Sequence, residues 1–251
     1  MSLTFNEATH RYRLDRKAVP SVTGLLNRGL PNEALLRWAP RVVAEFVADF
    51  PDEVEALRAL GREPMVQALK SMPDQKRNTA ALRGTEVHAI AERVVHGEGV
   101  EVPPEHAAMV QGYVDFLDRF DVVPILTERS CANRSAWYAG RFDLIATVRG
   151  GDTWLLDAKT SKAVYGQVAL QLAGYAECEF YVSDDDPDTE HPMPEIQRTG
   201  VLHITEWGTE LVPMEWDAAV TSDWLKVLDV AKARKRIDAY AGEPITDPAD
   251  L

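Results

Sequence analysis

Residues 140–160 read GRFDLIATVRGGDTWLLDAKT, and this stretch decides the fold class. Gly150-Gly151-Asp152 is a turn signal between two runs that read as strands, so a hairpin is expected here. Asp143 falls in the first strand, and Asp157 with Lys159 at the end of the second. Side chains two apart on a strand share a face, so Asp157 and Lys159 point the same way and Ala158 points away. Trp154-Leu155-Leu156 is apolar and belongs in a core. An acid and a lysine at the exit of a buried strand need a reason to be there.

Upstream, the period is helical. Residues 3–14 read as a small hairpin, and Ser21 caps a short helix. Helices follow at about 32–50, 51–61 and 63–71. A polar connection is expected over 72–78, then helices at 79–96 and 105–120. Strands are expected at 122–128, 136–148 and 153–157, and a helix at 163–181. An acidic loop over 183–198, strands at 200–206 and 209–214, and a helix over 217–240 complete the order. It predicts an α/β protein with a central mixed sheet flanked by helices. Residues 1–78 form an N-terminal hairpin and helical extension packed on a core of residues 79–242, with a loose tail at 243–251.

The chain has 251 residues and a net charge of −13. Such a charge argues at first against nucleic acid as a partner, but much of the excess sits in one run, Asp184-Asp185-Asp186-Pro187-Asp188, which reads as a solvated loop. No window approaches the roughly 18 apolar residues of a membrane span, so no membrane partner is expected. The charged start, without an apolar h-region, points to the cytoplasm. Cys131 and Cys178 belong to no C-x-x-C pair, which leaves no basis for a zinc or iron–sulfur site.

The acids and lysine of 140–160 suit phosphodiester hydrolysis. Asp143 and Asp157 would hold Mg²⁺ or Mn²⁺, with the Ala158 backbone carbonyl between them as a further oxygen ligand. Lys159 would orient water and stabilise the developing negative charge. Downstream, Gln167, Gln171 and Tyr175 are spaced i, i+4, i+8 on one helical face, and such side chains suit phosphate or base contacts. Upstream, RGTEVH at 83–88 places His88 and Glu92 on one helical face, where His88 alone reads first as an ordinary helix histidine and second as an imidazole ligand of the same metal.

GTEVH at 84–88, GRFD at 140–143, DAKT at 157–160 and QLAGY at 171–175, in this order, resemble the PD-(D/E)XK nuclease superfamily and its RecB-like branch, which includes phage-type and CRISPR-associated exonucleases. The opening HRYRLD at 10–15 with VPSVT at 19–23 is similar to the start of phage-encoded members. The resemblance implies a restriction-endonuclease-like core and Mg²⁺ or Mn²⁺ dependence. It implies His88, Asp143 and Asp157 as metal ligands and Lys159 as the catalytic lysine. Gln171 and Tyr175 would face DNA, and Glu128 would be a supporting acid, with Glu92 beside His88. Phe142 stands where proline is usual, Asp157 where glutamate is common, and the iron–sulfur cysteines of many CRISPR-associated relatives are missing.

The expected activity is a DNA exonuclease acting on ends or single strands, with a role in phage-type recombination or end processing alongside a recombination partner. A phage-encoded chain would work in the host cytoplasm. A structure-specific endonuclease, a catalytically silent binding module and an interaction protein are the alternatives, and oligomeric state stays open. Candidate DNA contacts are Arg83, Arg141, Lys76-Arg77 and Lys159 with Lys162. Lys232, Arg234, Lys235 and Arg236 lie on the last helix, where a solvated face is the ordinary reading.

Overall fold

The computed structural model describes residues 3–7, 9–95 and 99–243; the expected tail lies, but for Glu243, outside the described residues, as do the side chains of Ala80, Arg83 and Asp238. Strands β1 (Leu3–Asn6), β2 (Arg11–Leu14) and β3 (Lys17–Val19) form a small antiparallel sheet, one strand more than the expected hairpin. Helix α1 (Val22–Gly29) starts where Ser21 accepts a hydrogen bond from the Gly24 N–H, and α2 (Glu33–Asp49) where Asn32 accepts from Ala34 and Leu35. Helix α3 (Pro51–Ala59) has proline at its first position, where a missing N–H is harmless.

The largest departure from expectation is helix α4 (Arg62–Val95), 34 residues long and thus about 50 Å. Residues 72–78, expected as a connection, lie inside it, and so does the expected boundary at 78/79. Pro73 removes one backbone donor without ending the helix. The polar residues after it are exposed, with the helix formers Gln75, Lys76 and Arg77 among them, tied locally by Gln75 donating to Ser71 at 3.0 Å and by Arg77 paired with Asp74 at 3.1 Å.

Helix α5 (Ala107–Arg119) leads into strands β4 (Val122–Asn133), β5 (Tyr138–Val148) and β6 (Thr153–Lys159). Helix α6 (Gln167–Ala176) is shorter than expected, because Phe180–Val182 leaves it to form strand β7. Strands β8 (His191–Pro192), β9 (Arg198–Thr205) and β10 (Gly208–Met214) follow, then helix α7 (Ala218–Ile237) and a 3₁₀ turn at Asp238–Tyr240. The seven strands form one mixed sheet in the order β10-β9-β6-β5-β4-β7-β8, antiparallel throughout except for the parallel β6–β9 pair. The β5–β6 turn carries Arg149 and Gly150 at φ 54° and 62°, the left-handed geometry of a tight hairpin.

Helices cover both faces. Helices α1, α6 and α7 bury Leu25, Leu172 and Trp224 against Ile145 and Leu155, while α5 and the end of α4 bury Val87, Met109 and Phe116 against Leu144, Leu156 and Leu202. The small sheet packs Leu3, Tyr12 and Leu14 against Ala132, Ala139, Phe180 and Val182.

Within β5, Phe142 lies in the first of these cores and Leu144 in the second. Residues two apart on a regular strand share a face, so β5 turns over at Asp143. The adjacent strand turns over at the same level: Thr127 pairs with Leu144 and Arg129 with Phe142, leaving Glu128 opposite Asp143 with φ at 47°. A left-handed non-glycine residue in mid-strand is uncommon. This irregularity lifts two carboxylates out of the alternation of the sheet.

Candidate metal centre

Five elements meet where β4 and β5 turn over. Helix α4 supplies His88 and, one turn on, Glu92. Gly84 lets that helix close on the end of β6, since a Cβ there would lie 3.3 Å from Thr160 Oγ1. Strand β4 supplies Glu128, β5 Asp143, and β6 Asp157 to Lys159. Helix α6 supplies Gln171.

His88 Nδ1 lies 3.6 Å from Asp143 Oδ2, and the same oxygen accepts a 2.8 Å hydrogen bond from the Ala158 N–H. One ligand atom from each of His88, Glu128 and Asp143 lies within 4.8 Å of the others, the one such group found among the described residues. That spacing matches side chains sharing an ion with bonds of about 2.0–2.6 Å. A cavity of about 20 Å³ lies against these three residues, with Glu92, Tyr113, Thr127 and Ala158 also in its wall. It has room for about one water-sized species.

The electrostatics of the site are set by burial and by its clustered acids. Burial, reinforced by the Asp143 charge, pushes the Glu128 carboxyl up to about 7 although Arg141 pulls it down. Burial and Asp143 likewise raise Asp157, against the pull of Lys159. For Lys159 burial disfavours the ammonium, but the Asp157 and Asp143 carboxylates outweigh it, and its pKa is raised. Burial and the neighbouring charges of Asp143 and Glu128 raise the Tyr113 hydroxyl, which stays protonated. Two carboxylates and an imidazole around a small cavity, with acids disfavoured by one another, fit a divalent cation.

Asp157 stands apart from this trio. Its Oδ1 accepts a 2.7 Å hydrogen bond from Gln171 Nε2, and its other oxygen is ion-paired with Lys159. Asp157 is 2% exposed, so this pairing is what makes a buried charge tolerable. Asp143 thus connects two networks, His88–Glu128 on one side and Asp157–Lys159–Gln171 on the other.

No protein-family model and no curated protein matches this chain. What the site can do rests on its own geometry.

Several expectations need correction. Tyr175 does not face outward: it is 4% exposed in the core, and its hydroxyl accepts from Gln171 at 3.3 Å. The spacing of Gln167, Gln171 and Tyr175 identified a common face, but at Tyr175 that face turns inward. Gly140 makes room for the ring, for a Cβ there would lie 2.4 Å from Tyr175 Cε1. Gln171 is occupied with Asp157 and Tyr175, to both of which its Nε2 donates. Gln167 stays half-buried at the start of α6. Arg141 does not present its guanidinium to DNA: it donates to Glu128 at 2.8 Å and grips Asp184 with two bonds at 3.0 and 2.9 Å. Asp184 stays exposed on its loop, yet serves as a counter-ion to the guanidinium that holds Glu128. The Ala158 N–H donates to Asp143, a contact that the sequence reading, which looked to the Ala158 carbonyl, did not anticipate. Arg83 lies on α4, and its side chain is outside the described residues.

Tyr113 was legible only as a core residue of an amphipathic helix. Glu128 carried no signal beyond its place at a strand end. Cys131 and Cys178 are free and buried in the core beside α6. No described helix is long and apolar enough to cross a membrane.

Proposed function

We propose that this chain is a metal-dependent nuclease of the PD-(D/E)XK type, a DNA exonuclease using Mg²⁺ or Mn²⁺. The observation that carries the reading is the position of Asp143. One oxygen of its carboxylate lies 3.6 Å from His88 and 2.8 Å from the Ala158 N–H, between an ion-sized acidic trio and a buried acid–lysine pair.

His88, Glu128 and Asp143 would hold the cation, with Asp157 next in reach through the network that Asp143 shares. The bound ion would lower the pKa of a water and screen the phosphate charge. The chain's own contribution is placement and charge. Lys159 stays protonated beside Asp157, which suits it to stabilise negative charge on a phosphate oxygen and makes it a poor base. Gln171 fixes the Asp157 carboxylate by donating to it, and Tyr175 anchors Gln171 from the core. Arg141, clamped by Asp184, sets the orientation of Glu128.

The test is cleavage of end-labelled linear and closed circular DNA by purified protein with Mg²⁺, Mn²⁺ or EDTA, beside Asp143→Ala and Lys159→Ala. Metal-dependent loss of linear DNA alone, abolished in both folded variants, is expected. Cutting of the circle would make the chain an endonuclease. No cleavage with any metal, by protein that still binds DNA, would make it a binding module.

A further inference from the structure

Away from the metal centre, a groove of about 1200 Å³ runs between the small N-terminal sheet, α1 and the end of α7. Its lining holds six cations, Arg11, Arg28, Lys232, Arg234, Lys235 and Arg236, and among the described residues no acid. They come from three elements widely separated in sequence, so a single solvated helix face does not account for them. Among the described residues, none of the six forms an ion pair. Elsewhere on this chain of net charge −13, Arg37 is paired with Glu33, Arg41 with Glu45, Arg58 with Glu55 and Arg198 with Asp152, while the exposed Arg13, Arg16, Arg119 and Arg149 form no ion pair among the described residues; what sets the groove apart is six cations gathered with no acid in its lining.

Two helix C-termini, those of α1 and α7, end at this groove. Each contributes about −0.5 charge, far short of balancing six cations. Two of the cations are fixed by carbonyls and keep their charge: Lys232 Nζ donates to Ala136 O at 2.7 Å, and Arg234 to Arg28 O at 2.7 Å. His10 and the half-buried Trp137 add rings to the lining. Cations interleaved with aromatic rings suit a polynucleotide, whose phosphates and bases use both; an acidic peptide uses only the charge.

A chain of side-chain contacts links the groove to Glu128. Tyr12 in its lining stacks on Phe5 with ring centroids 4.6 Å apart; Phe5 lies 5.9 Å beneath the Arg141 guanidinium, and Arg141 holds Glu128. From Tyr138 to Asp143 along β5 is roughly 16 Å.

We infer that this groove binds the phosphodiester backbone of DNA at a distance from the reacting bond, as a second site that holds the substrate while its end lies at the metal centre. Naming DNA as the occupant rests on the nuclease reading; the anionic character of the occupant does not.

The test is binding of a labelled oligonucleotide to the full chain in EDTA, followed by fluorescence anisotropy between about 50 and 200 mM salt. The double variant Arg28→Ser/Lys235→Ser should weaken binding at least about fivefold and reduce the salt slope by about 1.4–1.8, the loss of two phosphate contacts. Arg11→Ser, on a different element, should weaken binding in the same direction, and it carries the test should the double variant melt early. Arg37→Ser/Arg41→Ser should bind as wild type. Wild-type affinity in the folded groove variants overturns the inference, and so does polyglutamate competing as well as DNA. Groove-dependent binding without cleavage in Mn²⁺ would sink the nuclease reading alone, and cleavage with binding insensitive to the groove variants would sink this inference alone.

Discussion

The Asp143 carboxylate is held from β6 by the Ala158 N–H at 2.8 Å. A backbone donor cannot rotate away, so one Asp143 oxygen is fixed whether or not a ligand is bound. The cation should therefore find a partly built site and stabilise the fold on binding. Melting temperature should rise with Mn²⁺ or Mg²⁺, with about 2.7 kcal/mol of stabilisation at a hundred times the Kd. His88→Ala and Glu128→Gln should remove most of that rise. An equal rise in those variants would place the ion elsewhere.

Stability without metal should fall as the pH rises from about 4.5 to about 7. Glu128 has an ordinary value of 4.5 and is raised to about 7 in the fold. Below about 4.5 both folded and unfolded forms hold the proton. Between those values the unfolded chain gives it up first, so the favourable contribution shrinks and is gone above about pH 7. The change is on the order of 3 kcal/mol at most. Urea titrations in EDTA at pH 5.5 and 8 should show a smaller drop in Glu128→Gln than in wild type. A drop of the same size in both would dissociate Glu128 from the effect.

Removing the lysine alone should be worse than removing the pair. Lys159→Met leaves the buried Asp157 carboxylate without its counter-charge and should destabilise by on the order of 3 kcal/mol. Asp157→Asn added to it should recover a good part of that loss. Activity should be absent in both. Additive losses in a double-mutant cycle would show that the two side chains do not couple.

Gly140→Ala should act on the site through a ring. The new methyl would meet Tyr175 Cε1 at 2.4 Å, so the ring must shift, and Gln171 with it. Destabilisation of about 1–3 kcal/mol is expected, typical of overpacking. Cleavage should fall further than the melting temperature explains, because Gln171 positions Asp157. The combination Gly140→Ala/Tyr175→Phe, which leaves the ring in place, should not rescue, whereas Gly140→Ala/Tyr175→Leu should recover stability. Recovery in the phenylalanine variant would point to the hydroxyl and not the ring.

What was legible in the sequence follows from how local each signal is. Ser21 caps its helix as read, since a cap is decided within three residues. The hairpin from Asp143 to Asp157 was readable because Gly150 and the apolar run Trp154–Leu156 mark its turn and its buried strand. Residues 72–78 misled because a solvated helix turn has no apolar stripe and Pro73 looks like a break. Phe180–Val182 was absorbed into a helix because three apolar residues do not reveal their period. Tyr175 shows the limit of helical spacing: it groups residues on a face and does not say which way the face points. Nothing local marks Glu128 as left-handed, and the Arg141–Asp184 clamp joins residues 43 apart in sequence.

Helix α4 is continuous from Arg62 to Val95, and His88 and Glu92 ride on it while Glu128, Asp143 and Asp157 belong to the sheet. An ion shared between His88 and the two strands would rivet one structural layer to another, as a removable crosslink does. Chelation would then do more than silence the chemistry: it would loosen the seam between helix and sheet, and amide exchange along the last turns of α4 would register the loss before any strand did.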